Sequence, residues 1–355
     1  MTRRSAIWIF IFVFFLLLIA AAANSEERTR DSTTLEREGR TYDGVQIQSG
    51  DDDADVAIVP IEGVIQNGDS DATGAVSGGD DLVRLIDEIS EGDEFEGIIL
   101  QVNTPGGAVL ASDEAARAVK RAQKRGIKVV AWMRDTAASG GYYISAPADR
   151  IVAAPATITG SIGVILQYFN VEGLAGKVGV KAVTIKSAEN KDIGSSFNDL
   201  TPEQRKILQS IIDEAYGDFL GVVSDARDID EEDLRPIADG RIYTGRQALE
   251  LGLVDELGTR DKAYDVMADL LKESDGDDLE VTEFERRFGI FDSVGASARQ
   301  LDFSQAARLA AGLLLEDLAG GSGGVAPAQM VAPGMAAATQ PAMGGLPRVE
   351  YRAVL

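Results

Sequence analysis

The chain has 355 residues, 45% of them hydrophobic, which is enough to bury one large core or two modest ones. Its 58 acidic residues outnumber 34 basic ones, and the resulting net charge of −24 repels nucleic acid. Cysteine and histidine are both absent. Their absence excludes disulfides, cysteine nucleophiles, zinc–thiolate and histidine metal sites, and the Ser-His-Asp triad.

The first 24 residues carry an apolar run, Ala6 to Ala23, behind Arg3 and Arg4. Eighteen apolar residues reach the length needed to span a bilayer, and the two arginines should stay on the cytoplasmic side. The segment is therefore predicted to be a single-pass anchor in the cell membrane, with the main domain on the extracytoplasmic side. The alternative is a cleaved signal peptide, because small alanines end the run.

The polar residues 25–54 are rich in charge, which predicts a solvated linker. The folded domain, predicted to cover 55–275, begins with a run of β-branched residues from Val56 to Ile65 that is typical of a strand. An amphipathic helix from Asp81 to Glu91 follows the strand.

Two further strands are predicted from Gly97 to Val102 and from Lys128 to Met133, with a helix from about Ser112 to Arg125 between them. Apolar strands that alternate with helices indicate an α/β fold built on a mainly parallel sheet. Such sheets place ligands at the carboxyl ends of their strands.

Glycine-rich bends follow two of these strand ends: Pro105-Gly106-Gly107 after the second strand and Ser139-Gly140 after the third. A serine between a strand and a helix has an outward hydroxyl and free backbone N–H groups beside it, which suits a nucleophile. Glycine N–H groups at both bends could form an oxyanion hole. Two alternatives stay open, a helix-capping serine and a plain turn.

A nucleophilic Ser139 in a chain without histidine needs another base, and the recurring substitute is a neutral lysine. The extended stretch 151–164 bends at Gly160 and places Ser161 near that bend. The lysines that follow are Lys177, Lys181, Lys186 and Lys191, and their spacing does not choose among them.

The second half of the domain is predicted to be mainly helical. Thr201 caps a long helix, a short helix covers about 245–251, and the last domain helix covers about 261–272. Beyond it, 276–319 is predicted to be a partly helical extension. Residues 320–355, rich in Gly, Ala, Pro and Met, are predicted to be a flexible tail.

Five ordered blocks resemble the SppA-type signal peptide peptidases, which are membrane-bound serine proteases of the ClpP/crotonase-like fold. The blocks are NTPGG at 103–107, AASGGYY at 137–143, TGSIGV at 159–164, KSAENKDIGS at 186–195 and DGRIYTGRQALELGLVDELG at 239–258. The resemblance implies a repeated β-β-α sheet-and-helix domain. It implies no metal and no cofactor.

Matched position by position, the resemblance implies that Ser139 is the nucleophile and Lys191 the general base. It also implies that Ser161 orients the lysine amine, while backbone N–H groups of Gly107 and Gly140 form the oxyanion hole. Lys191 must be desolvated or lie near positive charge to act as a base around neutral pH. The neighbouring Asp192 opposes this, so it must point away, and Lys186 is otherwise the alternative base.

The single serine–lysine set resembles the half-length form of the family, which implies a homo-oligomeric ring, an octamer, with the lysine reaching the serine of a neighbouring subunit. The expected function is cleavage of remnant signal peptides and other short unfolded apolar peptides. The rival functions are a crotonase-like acyl-CoA enzyme and a non-enzymatic membrane scaffold. The C-terminal residues Leu346 to Leu355 are expected to enter the groove as a self-substrate.

Overall fold

The computed structural model describes residues 34–37, 40–50, 55–71, 75–273, 275–286 and 349–352. Its strands are β1 (Thr34–Arg37), β2 (Arg40–Gln48), β3 (Asp55–Glu62), β4 (Val64–Gln66), β5 (Val76–Gly78), β6 (Gly97–Thr104), β7 (Gly106–Ala108), β8 (Lys128–Ala138), β9 (Arg150–Ala153), β10 (Ile158–Gly160), β11 (Ile165–Leu166), β12 (Ile242–Thr244), β13 (Glu256–Leu257), β14 (Glu280–Arg286) and β15 (Val349–Arg352).

The helices are α1 (Gly79–Glu91), α2 (Val109–Lys124), α3 (Gly140–Ser145), α4 (Glu172–Lys177), α5 (Pro202–Arg227), α6 (Glu231–Leu234), α7 (Gly245–Glu250) and α8 (Arg260–Leu271). A 3₁₀ turn covers Glu189–Asp192. The predicted α/β class is confirmed.

The large sheet has the order β1-β2-β14-β3-β6-β8-β10-β12, with β9 and β13 attached beside β8. The pairs from β14 through β3, β6 and β8 to β9, β10 and β13 are parallel, and the pairs β1/β2, β2/β14 and β10/β12 are antiparallel. A second, smaller sheet has the order β11-β15-β7-β4-β5. The mostly parallel central sheet agrees with the alternation of strands and helices in the sequence.

Strand β8 forks along its length. Its first half pairs with β9, from Val130 to Met133, and its last residues, Thr136 to Ala138, pair with β10. Its pairing with β6 shifts register over the same stretch, between Val102 and Thr104 of β6. The end of β8 therefore has a different neighbour from its beginning.

Both faces of the central sheet are covered, which is why its strands read as continuous apolar runs. On β3, Ala57, Val59 and Ile61 belong to the larger core cluster, shared with α1, α2, α3 and the C-terminal part of α5. Val56 and Ile58 belong to the second cluster, which packs against α8. The alternation along β3 thus separates two hydrophobic layers.

The sheet extends into both segments that were predicted to flank the domain. Residues 40–48, expected to be part of a solvated linker, form β2, and residues 280–286 form β14 beside it. The linker interpretation is wrong for these residues because their alternation places Tyr42 in the core while Val45 and Ile47 stay on the open side.

The long helix α5 begins as predicted, with a Thr201–Gln204 capping box and Pro202 in the first turn. Only its C-terminal half packs well: Phe219 is fully buried, whereas Ile211 is exposed. The N-terminal half of α5 therefore projects away from the core.

In the described part of the chain, no helix has the length and apolar character needed to cross a bilayer. The predicted anchor, residues 1–24, lies outside the described residues. So do residues 287–348, which contain most of the predicted extension and tail, and the proposed domain boundaries remain predictions.

Candidate active site

Ser139 lies between the end of β8 and the first turn of α3. Its backbone has φ 54° and ψ −114°, a conformation that a non-glycine residue adopts at a cost of about 1–3 kcal/mol. Two hydrogen bonds hold it there: the Ser139 N–H donates to the Gly160 carbonyl at 2.8 Å, and the Tyr143 N–H donates to the Ser139 carbonyl at 2.8 Å. The strained backbone conformation of Ser139 is thus held by hydrogen bonds to the end of β10 and to the first turn of α3.

The Ser139 hydroxyl is fully buried and has no hydrogen-bond partner among the described residues. It does not cap α3, so the helix-capping alternative is wrong. A buried hydroxyl without a partner costs about 1–3 kcal/mol, so its presence needs an explanation, and a catalytic role is one that fits this turn.

The short helix α3 is held by the phenols of two buried tyrosines. The Tyr142 hydroxyl donates to the Leu253 carbonyl at 2.8 Å, and the Tyr143 hydroxyl donates to Asp113 Oδ1 at 3.1 Å. Burial raises the pKa of both phenols, so both remain protonated donors. These bonds fix the backbone N–H groups at the start of α3.

Gly107 and Gly140 come together beside Ser139. A Cβ atom on Gly140 would lie 2.5 Å from Ser112 Oγ and 3.2 Å from the Gly107 nitrogen, so only glycine fits. The neighbouring Gly106 has φ 101°, and its N–H already donates to Thr104 Oγ1 at 3.0 Å. The Gly106 N–H is thus already engaged within its own bend.

The plain-turn alternative for Pro105-Gly106-Gly107 does not describe the structure. Gly106 to Ala108 form β7, and Gly107 is paired with Ile65 of β4 on one side. The bend is thus a crossing from the large sheet into the small one.

Ser161 lies next to Ser139 because the two residues follow paired strand ends. Gly160 of β10 is opposite Ala138 of β8 in a parallel ladder. Ser161 is buried, has φ 52°, and donates its N–H to the Arg241 carbonyl at 2.8 Å. Both serines are therefore held by backbone hydrogen bonds at one edge of the sheet.

Lys191 lies in the exposed 3₁₀ turn Glu189–Asp192. Within the described part of the chain, the Lys191 ammonium group makes no hydrogen bond and no ion pair. In particular, it is not hydrogen-bonded to the Ser139 hydroxyl. A single chain thus brings Ser139, Ser161, Gly107 and Gly140 together but does not join Lys191 to them.

The carboxylate of Asp192 is compensated by Lys186. Lys186 Nζ lies 2.9 Å from Asp192 Oδ1 and donates to the Glu189 carbonyl at 2.8 Å. The hydrogen bond from Lys186, the largest cause, lowers the pKa of Asp192. Lys186 is thus engaged by Asp192, whereas the Lys191 side chain has no hydrogen bond or ion pair among the described residues.

Sequence reasoning did not single out Ser112, which it treated only as the start of a helix. Its hydroxyl donates to the Ala108 carbonyl at 3.0 Å and packs where a Gly140 side chain would be. A polar residue one turn after the glycine bend was the available signal. In the part of the chain that the structure covers, no cluster of acidic side chains could hold a metal ion.

The fold and the site define a class: α/β proteins with a serine at a strained strand-to-helix turn, beside two closely packed glycines. The family model of peptidase family S49 matches residues 121–274. A candidate protease from Synechocystis sp. is 43% identical over 195 residues, which are 54% of this chain and 70% of the relative. The chain belongs to peptidase family S49.

Two further relatives show how far the similarity extends. A candidate protease from Methanocaldococcus jannaschii is 40% identical over 198 residues, 56% of this chain and 63% of the relative. A candidate signal peptide peptidase SppA from Enterococcus faecium is 40% identical over 203 residues, 57% of this chain and 58% of the relative. The matched part of the chain thus spans less than two thirds of these two relatives.

Proposed function

We propose that the chain is a serine endopeptidase with Ser139 as nucleophile and Lys191 as general base. The observation that carries this proposal is the buried, unpartnered Ser139 hydroxyl in a strained turn beside Gly107 and Gly140. Membership of peptidase family S49 supports the same activity.

The proposed fold is ClpP/crotonase-like. Two successive units support it, because β3 is followed by β4 and α1, and β6 is followed by β7 and α2. In each unit a strand of the large sheet leads into a short strand of the small sheet and then into a helix.

In the proposed mechanism, Ser139 Oγ attacks the carbonyl carbon of a peptide bond while its proton moves to the neutral Lys191 amine. The negative charge on the former carbonyl oxygen is stabilised by the Gly107 and Gly140 N–H groups. The C–N bond then breaks, Lys191 gives the proton to the leaving amine, and an acyl-enzyme remains. Water, deprotonated by Lys191, hydrolyses the ester and restores Ser139.

The base is proposed to come from a neighbouring copy in a homo-oligomeric ring. Lys191 is exposed in its own chain, whereas the hydroxyl that it must reach is fully buried. The segment that carries it, residues 165–200, also exposes large apolar side chains that a second copy would cover. These are Ile165, Phe169, Leu174, Val178, Val180, Val183, Ile185 and Phe197. The number of subunits is proposed to be eight, on the family resemblance.

The proposed substrates are extended peptides, in particular remnant signal peptides and other short unfolded apolar segments. Strand β15 lies between β7 and β11 and pairs with both, which shows that the edges of these two strands accept an extended backbone such as that of a bound peptide. The anchor at residues 1–24 would hold the domain at the membrane, on the extracytoplasmic side, where such peptides arise. A relative from Enterococcus faecium named as a candidate signal peptide peptidase supports this substrate class.

A serine-directed fluorophosphonate probe tests the nucleophile. The full chain should be labelled and should cleave an extended reporter peptide, and Ser139→Ala should lose both properties. Lys191→Met should lose peptide cleavage and still assemble. An acyl-CoA enzyme or a scaffold would not need Ser139, so activity retained in Ser139→Ala would contradict the proposal.

Mixing the two inactive variants tests whether the dyad is shared. Co-assembled Ser139→Ala and Lys191→Met chains, mixed equally, should recover about a quarter of the wild-type sites, since each site needs an intact serine and an intact neighbouring lysine. A dyad within one chain predicts no recovery. Each variant alone, carried through the same mixing procedure, is the control.

A further inference from the structure

The carboxylate of Asp192 is the point where several parts of the segment around Lys191 meet. It accepts hydrogen bonds from Lys186 Nζ at 2.9 and 3.0 Å, from Asn198 Nδ2 at 3.2 Å and from Gln204 Nε2 at 3.3 Å. The Asp192 side chain is only 12% exposed, although residues 181–191 before it are all exposed. Three donors from three parts of the chain thus hold one carboxylate in place.

Gln204 connects this carboxylate to the start of α5. Its Oε1 accepts the Thr201 N–H at 3.2 Å, and its own N–H donates to Thr201 Oγ1 at 3.1 Å, which completes the capping box. The same side-chain amide donates through Nε2 to Asp192. Because Gln204 is buried, the position of Asp192 is tied to the end of a helix and not to a surface side chain.

Lys186 spans the 3₁₀ turn that carries Lys191. Its ammonium group donates to the Glu189 carbonyl at the start of the turn and to Asp192 at its end. Lys191 lies between these two points, and its backbone N–H donates to the Ala188 carbonyl at 3.2 Å. The turn is therefore fixed on both sides of Lys191 by groups other than the Lys191 side chain.

We propose that Asp192 is a positioning residue for the base and that Lys186 cancels the negative charge of Asp192. This inference rests on the proposed function, in which Lys191 is the base. A free carboxylate beside an amine favours the protonated ammonium form, which cannot accept a proton. Paired with Lys186, Asp192 fixes the turn without retaining the proton on Lys191.

The ion pair is present at the pH where the base must work. The hydrogen bond from Lys186 lowers the pKa of Asp192, so this carboxylate stays ionised at neutral pH. The remaining charged residues of the turn and of the chain beside it are all exposed. These are Glu189, Asp199, Glu203, Arg205 and Lys206.

The pH dependence of peptide cleavage tests the proposal, measured as kcat/KM of the full-length chain with an extended reporter peptide. Lys186→Met removes the compensating charge. It should move the pH of half-maximal activity upward by about one pH unit, because Lys191 must lose its proton to act. Activity lost at neutral pH should therefore return at higher pH. Lys186→Arg keeps the positive charge and is the matched control, with the profile of the parent chain.

Two further variants separate charge from structure. Asp192→Asn leaves the charge of Lys186 uncompensated and should move the midpoint downward. Combining Lys186→Met with Asp192→Asn removes both charges and should return the midpoint to that of the parent, since an asparagine can still accept a hydrogen bond from Gln204. A purely structural role of the pair predicts lower cleavage at every pH, an unchanged midpoint and no rescue in the double variant, and this result would overturn the proposal.

Lys191→Met and fluorophosphonate labelling of Ser139 are measured beside these variants, and analytical ultracentrifugation follows their assembly. Full cleavage by Lys191→Met, or no labelling of the parent chain, would overturn the proposed function. An inactive Lys191→Met together with an unshifted midpoint in assembled Lys186→Met would overturn this inference alone.

Discussion

Two serines with positive φ stand side by side at one edge of the sheet, Ser139 after β8 and Ser161 after β10. Each is fixed through its backbone, by the Gly160 and Arg241 carbonyls respectively. Both residues thus hold costly backbone conformations at neighbouring positions, and the Ser139 hydroxyl is in addition buried without a hydrogen-bond partner among the described residues.

Ser139→Ala is expected to leave the free energy of unfolding unchanged or to raise it by up to about 1 kcal/mol, because it removes a buried hydroxyl that lacks a partner. Urea unfolding of the two chains measures the difference. The same variant should lose labelling by the fluorophosphonate probe. Its reactivity should therefore disappear while its stability is kept.

Thr159→Val is the matched control for that measurement. The Thr159 hydroxyl is buried nearby and donates to the Ala137 carbonyl at 2.7 Å, so its removal should cost about 1 kcal/mol. If Ser139→Ala were destabilised as much as Thr159→Val, the Ser139 hydroxyl would have a structural partner after all.

At the scale of single residues, the sequence indicated the proposed nucleophile but not the hydrogen bonds and ion pairs of the candidate lysines. The lack of histidine and the Ser139-Gly140 bend were readable from composition and spacing. The pairing of Lys186 with Asp192 was not, because side chains six residues apart outside a regular helix have no fixed geometry. The engagement of Lys186 by Asp192 therefore could not be predicted from the sequence, and Lys191 as the base remains a prediction from the family resemblance.

Helix α5 shows how one element serves two environments. Its C-terminal end is tied to the central sheet through Arg227, whose Nη2 lies 2.6 Å from Asp255 Oδ1, while Asp255 Oδ2 accepts the Ile151 N–H at 2.7 Å. Its N-terminal end follows the projecting segment that carries Lys191. The ion pair between Arg227 and Asp255 therefore holds the C-terminal end of α5 on the sheet, while its N-terminal half projects away from the core.

Arg227→Ala is expected to lower the free energy of unfolding by about 2–4 kcal/mol, because the Arg227 side chain is only 8% exposed and its loss leaves Asp255 unpaired. Thermal or urea unfolding measures the change. Arg235→Ala is the matched control: its ion pair with Glu231 lies on the surface, so the change should stay within about 0.5 kcal/mol. Similar decreases in the free energy of unfolding in both variants would contradict the anchoring role of Arg227.

Most elements near the site could be predicted from the sequence because they are short, apolar and bounded by glycine or proline. The strand leading into Ser139 is an example, and the start of the long helix α5 could be predicted from its capping residue Thr201. Strand β2 escaped prediction because its polar residues outnumber Tyr42, Val45 and Ile47, and it needed the distant partner β14 to become a strand.

The projecting segment 165–200 places many large apolar groups in solvent. Ile185 is 97% exposed, and Val183, Phe169 and Val178 are also mostly exposed. Soluble monomers rarely carry so large an apolar surface without a partner, and the same segment holds Lys191. We therefore propose that association of the chains through this segment also brings Lys191 to the Ser139 of a neighbouring copy.

Ile185→Asp is expected to reduce assembly and peptide cleavage together while leaving the unfolding of the single chain unchanged, since the side chain makes almost no contact within it. Analytical ultracentrifugation and a reporter-peptide assay measure the two effects. Thr184→Asp introduces the same charge at an exposed polar neighbour and serves as control. A fully active monomer of Ile185→Asp would contradict the shared site.

The fork in β8 has a consequence for how this molecule can vary. Near residues 134–135 the strand exchanges β9 for β10 on one side and shifts register against β6 on the other. The end of β8 and the strands β10 and β12 share the main core cluster through Ala137, Ile162 and Tyr243, so the two serines lie directly on the packed core. Substitutions in β10 and β12 are therefore expected to change the position of Ser161 and the packing of the core together, which limits how far this end of the sheet can vary.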